Sequence, residues 1–196
     1  MKKNVLSIVA ILAFAFSNAQ ETKFGVKGGV NLVTLTGDIK HTSSKAGFHV
    51  GGFAEFKISD KFSIQPEVLY STQGTKEKGQ SSFSELELNY KLAYINLPIL
   101  AKYYVAEKFS LEAGPQIGFL VSAKGEYTVA GDSEEVDIKN DFESIDFGID
   151  FGAAYDFTEN ISAELRYNLG LANLAKDADD YKIRNSVFSL SVGYKF

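Results

Sequence analysis

Apolar and polar residues alternate with a period of two through most of this chain, and the three-to-four spacing of an amphipathic helix is nowhere sustained. The first predicted strand, about Thr22 to Val33, sets Phe24, Val26, Val30 and Leu32 against Lys23, Gly25, Lys27, Gly29 and Asn31. The second, Gly47 to Ile58, sets Phe48, Val50, Ala54, Phe56 and Ile58 against His49, Gly51, Glu55 and Lys57, with Phe53 a misfit on the polar face. Further strands are predicted over Phe62–Gln73, Ala93–Val105, Phe109–Lys124, Ile145–Phe157 and Ile161–Gly170, and a last one from Phe188 to Phe196. The sixth is the cleanest: Ile145, Phe147, Ile149, Phe151, Ala153, Tyr155 and Phe157 alternate with Asp146, Gly148, Asp150, Gly152, Ala154 and Asp156.

The predicted links fall into two alternating kinds. Ile58–Glu67, Val105–Gly114 and Phe157–Arg166 repeat one local pattern: an apolar residue, a short polar turn carrying an acid, an apolar residue, Ser, then alternation. The other four links read as long polar loops, such as Gly125 to Asp141. An even number of strands, with short turns at one end and long loops at the other, predicts an all-β fold: an eight-stranded antiparallel up-and-down transmembrane β-barrel.

Alternation alone would also suit a soluble barrel or sandwich, which buries its bulky apolar face. Here the polar face carries the glycines. Inside a closed barrel of eight strands there is barely room for side chains, so small residues mixed with charges suit the lumen and large apolar ones suit lipid. Most predicted strands reach the roughly 10 residues needed to cross a bilayer at the usual tilt. Phe24, Phe56, Phe62, Tyr103, Phe109, Tyr155, Phe157, Tyr194 and Phe196 cluster at the short-turn side, as an interfacial aromatic girdle would.

Composition narrows the reading. Lys2 and Lys3 precede an apolar run from Val5 to Phe16 and then Ser17-Asn18-Ala19, the form of a signal peptide over residues 1–19, removed on export to leave a barrel domain over 20–196. The absence of cysteine excludes disulfides, thiolate metal sites and cysteine nucleophiles. A net charge of −5 leaves no basic stripe for a nucleic acid.

Lys27-Gly-Gly-Val-Asn31, Leu97-Pro-Ile-Leu-Ala-Lys-Tyr-Tyr104 and the terminal Gly193-Tyr-Lys-Phe196 resemble the outer-membrane β-barrel domain family of Gram-negative bacteria, often labelled "porin family" or PorT-like. The resemblance covers nearly the whole mature chain. It implies residence in the cell outer membrane, contact with its lipid, and a terminal aromatic, Phe196, read by the barrel-insertion machinery. It identifies a barrel better than an activity.

Charge gathers on the predicted lumen face. Counted upward from the short turns, one layer holds Lys27, Glu55, Glu67, Lys102, Glu112, Glu164 and Arg166. In a narrow barrel these must pair, because an unpaired buried charge is costly. The layer therefore reads as a plug of ion pairs, preferred over a gate or conducting path. Two histidines offer little for catalysis: His49 faces the lumen and His41 lies in a loop without a fixed acid. Gly131–Asp137 and Asp177–Asp180 are acidic but lack calcium-loop spacing, and no helix follows Gly25-x-x-Gly28-Gly29 to make a nucleotide loop. The expected protein is monomeric, without cofactor, metal or catalysis, and presents its loops for adhesion, partner contact or envelope integrity. The alternatives are a small-solute porin and an accessory subunit of a secretion system with a protein partner.

Overall fold

The computed structural model describes residues 21–38, 42–81, 84–129, 132–176 and 182–196. The expected signal peptide over 1–19, the mature terminus at Gln20, and His41 lie outside the described residues.

Eight long strands close on themselves: β1 Glu21–Gly37, β2 Lys45–Ser59, β3 Phe62–Ser81, β4 Ser84–Ala106, β5 Phe109–Val129, β6 Ile145–Asp156, β7 Ile161–Gly170 and β8 Ile183–Lys195. Each pairs antiparallel with its sequence neighbours, and β8 returns to β1. Two short strands, Thr42–Ser43 on β3 and Asp132–Asp137 on β5, decorate the loop end. The register runs from Thr22 through Phe56, Ile64, Ala101, Ala113, Phe151, Tyr167 and Phe188 back to Leu32, ten residues farther along β1. That stagger is what tilts the strands of a closed barrel.

The faces are as the alternation predicts. On β6, Phe151 is 49% exposed on the outside while its neighbour Asp150 is fully buried inside. Phe53, the misfit of β2, does point into the lumen, and glycine makes it possible. A Cβ on Gly25 would stand 2.3 Å from the Phe53 ring, so only a glycine on β1 admits it. Of the expected girdle, Phe24, Phe62, Tyr103, Phe109, Tyr155, Phe157, Tyr194 and Phe196 are exposed, whereas Phe56 is buried.

The loop end differs from expectation. The link between β3 and β4 is not a long loop, because both strands continue to Ser81 and Ser84. β3, β4 and β5 span 20, 23 and 21 residues, against 12, 10 and 13 for β6, β7 and β8. One wall therefore rises well above the rest.

Beside this wall the binary pattern inverts. Leu35, Leu92, Tyr94, Leu120, Ala123, Ile138, Phe142 and Leu174 form a buried apolar cluster inside the barrel mouth. A register shift opposite Ala93/Tyr94 turns Ala123 inward beside Leu120, where simple alternation would have placed Ser122. The links after β5 and β7 fold over this cluster and are tied together by Glu143 N–H to Leu174 C=O at 2.9 Å and a bridge between Phe142 and Ala175. The outward positions at this height are Thr34, Thr36, Lys91, Lys124, Arg184 and Ser186, which suit water rather than lipid.

Candidate functional site: the lumen

The lumen is stacked in levels. At the short-turn end a vestibule of about 830 Å³ opens outward, lined by acids and lysines including Lys57, Lys61, Lys108 and Glu107. Its inner end is an ion-pair group. Lys195 Nζ lies 2.9 Å from Asp156 and 3.2 Å from Glu55, Lys102 stands 3.8 Å from Glu55, and the Tyr104 hydroxyl donates to Glu55.

Above it sits the group around Arg166. Its two terminal nitrogens donate to both oxygens of Glu67 at 2.9 Å, and Nε donates to Glu112 at 3.1 Å. Glu164 lies 2.5 Å from the same guanidinium. Lys27 closes the ring, donating to Glu67 at 2.9 Å and Glu164 at 2.8 Å. A planar five-donor fork reaching three carboxylates from different strands is a geometry lysine could not reproduce. Gly152 leaves room for it, since a Cβ there would stand 2.8 Å from Glu112 Oε1.

The seven residues of the predicted layer thus all face the lumen, but they divide. Lys27, Glu67, Glu112, Glu164 and Arg166 form the upper group, while Glu55 and Lys102 belong to the lower one. Gln65 links the two, accepting from Lys102 at 3.1 Å and donating to Glu67 at 2.6 Å. The stagger is the reason: residues equally far from their turns do not lie at equal heights in a tilted barrel. Lys195, Asp156, Tyr104 and Gln65 were not counted in the layer, although alternation puts all four on the lumen face.

Above Arg166 the lumen is lined mainly by uncharged polar groups, with Asp150 and Asp146 the buried acids among them. His49 Nδ1 lies 2.7 Å from Asn31 Oδ1 and its Nε2 2.8 Å from Ser191 Oγ. Asn31 Nδ2 donates to Ser71 and the Ser189 hydroxyl donates to Asn31 Oδ1, so that oxygen is an acceptor and Nδ1 carries the imidazole proton. Nε2 then accepts from Ser191. The order Ser–His–Asn is that of a hydrolytic triad, but Ser191 is 2% exposed and the adjoining cavity holds only about 30 Å³. That is space for water, not for an acyl substrate. Among the described residues no group of three His, Cys, Asp or Glu is gathered to hold a metal. Of the acidic loop, Glu135 instead pairs with Lys91 and Lys124.

Solved structures share this architecture. The chain superposes on Neisserial surface protein A with a TM-score of 0.58 at 17% identity, covering 90% of this chain and 100% of the other. It superposes on Ail, the attachment invasion locus protein of Yersinia pestis, with 0.51 at 15% identity and the same coverages. A major outer membrane protein of Thermus thermophilus gives 0.51 at 13%, again over 90% and 100%. A search of curated proteins finds no match. Residues 18–176 match the outer membrane protein beta-barrel domain, and the chain belongs to that family of outer-membrane β-barrel proteins.

Proposed function

We propose that this protein is a non-enzymatic, non-conducting monomeric barrel that acts through the surface it raises above the outer membrane. One observation carries the reading: the lumen cavity bordered by His49, Asn96, Asp150, Arg166 and Ser191 holds only about 30 Å³. The ion pairs act as a plug, and the raised wall of β3, β4 and β5 offers the contact surface for adhesion, envelope integrity or an external protein partner. Ail is described in complex with a heparin analogue. The mixed charges of the raised wall and the net charge of −5 favour a protein over a polyanion here. Export through a cleaved signal peptide and insertion directed by Phe196, whose exposed ring lies beside Tyr194 at 5.5 Å, complete the proposal.

Purified protein in planar bilayers tests it: we expect no steady conductance. Steady current would favour the small-solute porin, a reading supported by the open vestibule of about 830 Å³. Co-purification with a secretion complex would favour the accessory role.

A further inference from the structure

Buried carboxylates outnumber buried cations in this lumen, and one of them stands apart. Glu55, Glu67, Glu112 and Glu164 each lie within 4 Å of a lysine or arginine. Asp150 lies within the field of Arg166. Asp146, two pleat repeats higher on β6 and 6% exposed, has no basic neighbour among the described residues. A carboxylate left in that state is strongly destabilising unless something neutralises it.

Several oxygens around Asp146 are left without a well-aligned partner. Asn185 Nδ2 donates to Asp146 Oδ2 at 2.7 Å, which leaves Asn185 Oδ1 turned away from that bond. Asp146 Oδ1, Asn185 Oδ1 and the Tyr94 hydroxyl are all buried with no hydrogen-bond partner of proper geometry. Tyr94 lies beside both Asp146 and Asn185. Asn96 Oδ1 borders the same spot: a Cβ on Gly118 would meet it at 2.8 Å, the Tyr94 ring at 3.4 Å and Asp146 Cβ at 3.5 Å. Four oxygen-bearing side chains from β4, β6 and β8 thus lie together directly beneath the apolar cluster, to which Tyr94 itself belongs.

We propose that Asp146, Asn185, Tyr94 and Asn96 bind one small monovalent cation, of the sodium class, inside the barrel. Hard cations take oxygen ligands, and the charge of the ligand set selects among them. A single carboxylate balances a charge of one. A divalent ion would leave a net positive charge in a dry pocket, and it lacks the several carboxylates such sites use. The bound ion would hold β4, β6 and β8 together just below the mouth and so support the apolar cluster above it.

The test is to refold the full mature chain in detergent micelles at equal ionic strength, in sodium chloride or in the chloride of N-methyl-D-glucamine, too bulky for the site. Melting temperature is then compared. We expect melting several degrees higher in sodium, saturating with concentration, with the difference lost in Asp146→Asn and reduced in Tyr94→Phe. Equal melting in both salts overturns the proposal, as does an undiminished sodium response in Asp146→Asn. Melting that follows pH but not cation identity also overturns it, because a proton would then neutralise Asp146. Should Asp146→Asn fail to fold, wild-type crystals soaked in a thallous salt decide: an anomalous peak beside Asp146 supports the site, and its absence rejects it.

Discussion

The band of the barrel within the bilayer and the mouth above it solve the same burial problem with opposite patterns. In the band, Phe151, Leu165 and Val192 face outward while Glu112, Glu164 and Arg166 face inward. At the mouth, Leu35, Leu92 and Tyr94 face inward while Thr36, Lys91 and Lys124 face outward. Lipid makes the first arrangement favourable, since apolar side chains facing it need no protein cover. Water makes the second favourable, because only burial removes Leu92 from it. The band must therefore fill its interior with groups that satisfy one another electrostatically, whereas the mouth fills its interior by packing. Band and mouth should consequently fail in different ways.

The largest effect is expected where the band depends on a single residue. Arg166→Ala removes the donors to Glu67 and Glu112 and the cation beside Glu164, leaving three carboxylates to Lys27. Breaking a buried pair costs about 3–5 kcal/mol, and we expect a loss of that size in urea unfolding from lipid vesicles. Water drawn to the stranded acids should also make the variant leakier in planar bilayers. Unchanged stability and current would mean that the levels above and below Arg166 hold the lumen without it.

Two smaller substitutions separate the regions. Phe151→Arg places a charge on the lipid face and should cost about 2–4 kcal/mol if it lies near the midplane, because lipid-facing charge is penalised most there. Leu174→Ala removes a fully buried side chain from the mouth. It should cost about 2 kcal/mol, the low end for such a truncation, because the links around it can close into the space. The readouts differ as well: Phe151→Arg should impair membrane refolding, while Leu174→Ala should leave it intact and raise proteolysis of the links. Equal refolding defects would mean that the mouth forms with the band rather than on top of it.

How far the chain could be read without its structure follows the same division. In the band, residues such as those of β6 obey one rule for the whole strand, so faces, turns and closure were legible. Along β4 the rule changes within two residues: Leu92 and Tyr94 face inward as ordinary core, and Ile95 begins the lipid face. Alternation shows that both sets exist but not which solvent lies outside each. The polar composition of residues 74–91 therefore looked like loop, although Leu86, Leu88, Tyr90 and Leu92 alternate within β4. The members of the charge cluster were legible as lumen residues. Their division into two groups was not, because the pairing of Glu55 with Lys195 rather than with the Arg166 group depends on a stagger that no single strand encodes. Gly25 was visible as a lumen glycine, yet that it makes room for Phe53 is a relation between strands.

The smallest effect is expected on the raised wall, where charges meet in water. Lys91 donates to Glu126 at 3.0 Å and to Glu135 at 3.1 Å, and Lys124 to Glu135 at 2.6 Å. Hydrogen bonding to Lys91 holds the Glu126 carboxyl below its ordinary 4.5, and hydrogen bonding to Lys124 and then Lys91 does the same for Glu135. The bond to Glu126 in turn raises Lys91 above 10.5. The carboxylate contribution is thus complete above 4.5, where both folded and unfolded forms are ionised, and is lost as pH falls through the depressed folded values. The lysine contribution is complete below 10.5 and is lost only as pH rises through its raised value. Between these limits the wall should be indifferent to pH. Hydrogen exchange at Asn89–Leu92 and Ala123–Tyr127, corrected for intrinsic rates, should show protection falling as pH drops below the ordinary carboxylate value of 4.5. Molar salt should produce a similar loss, since exposed pairs are screened. Backbone amides around Arg166 should keep their protection in salt, because buried ion pairs are screened far less than exposed ones. If the wall keeps full protection in both acid and salt, its ion pairs contribute nothing, and the strand ladders alone hold it upright.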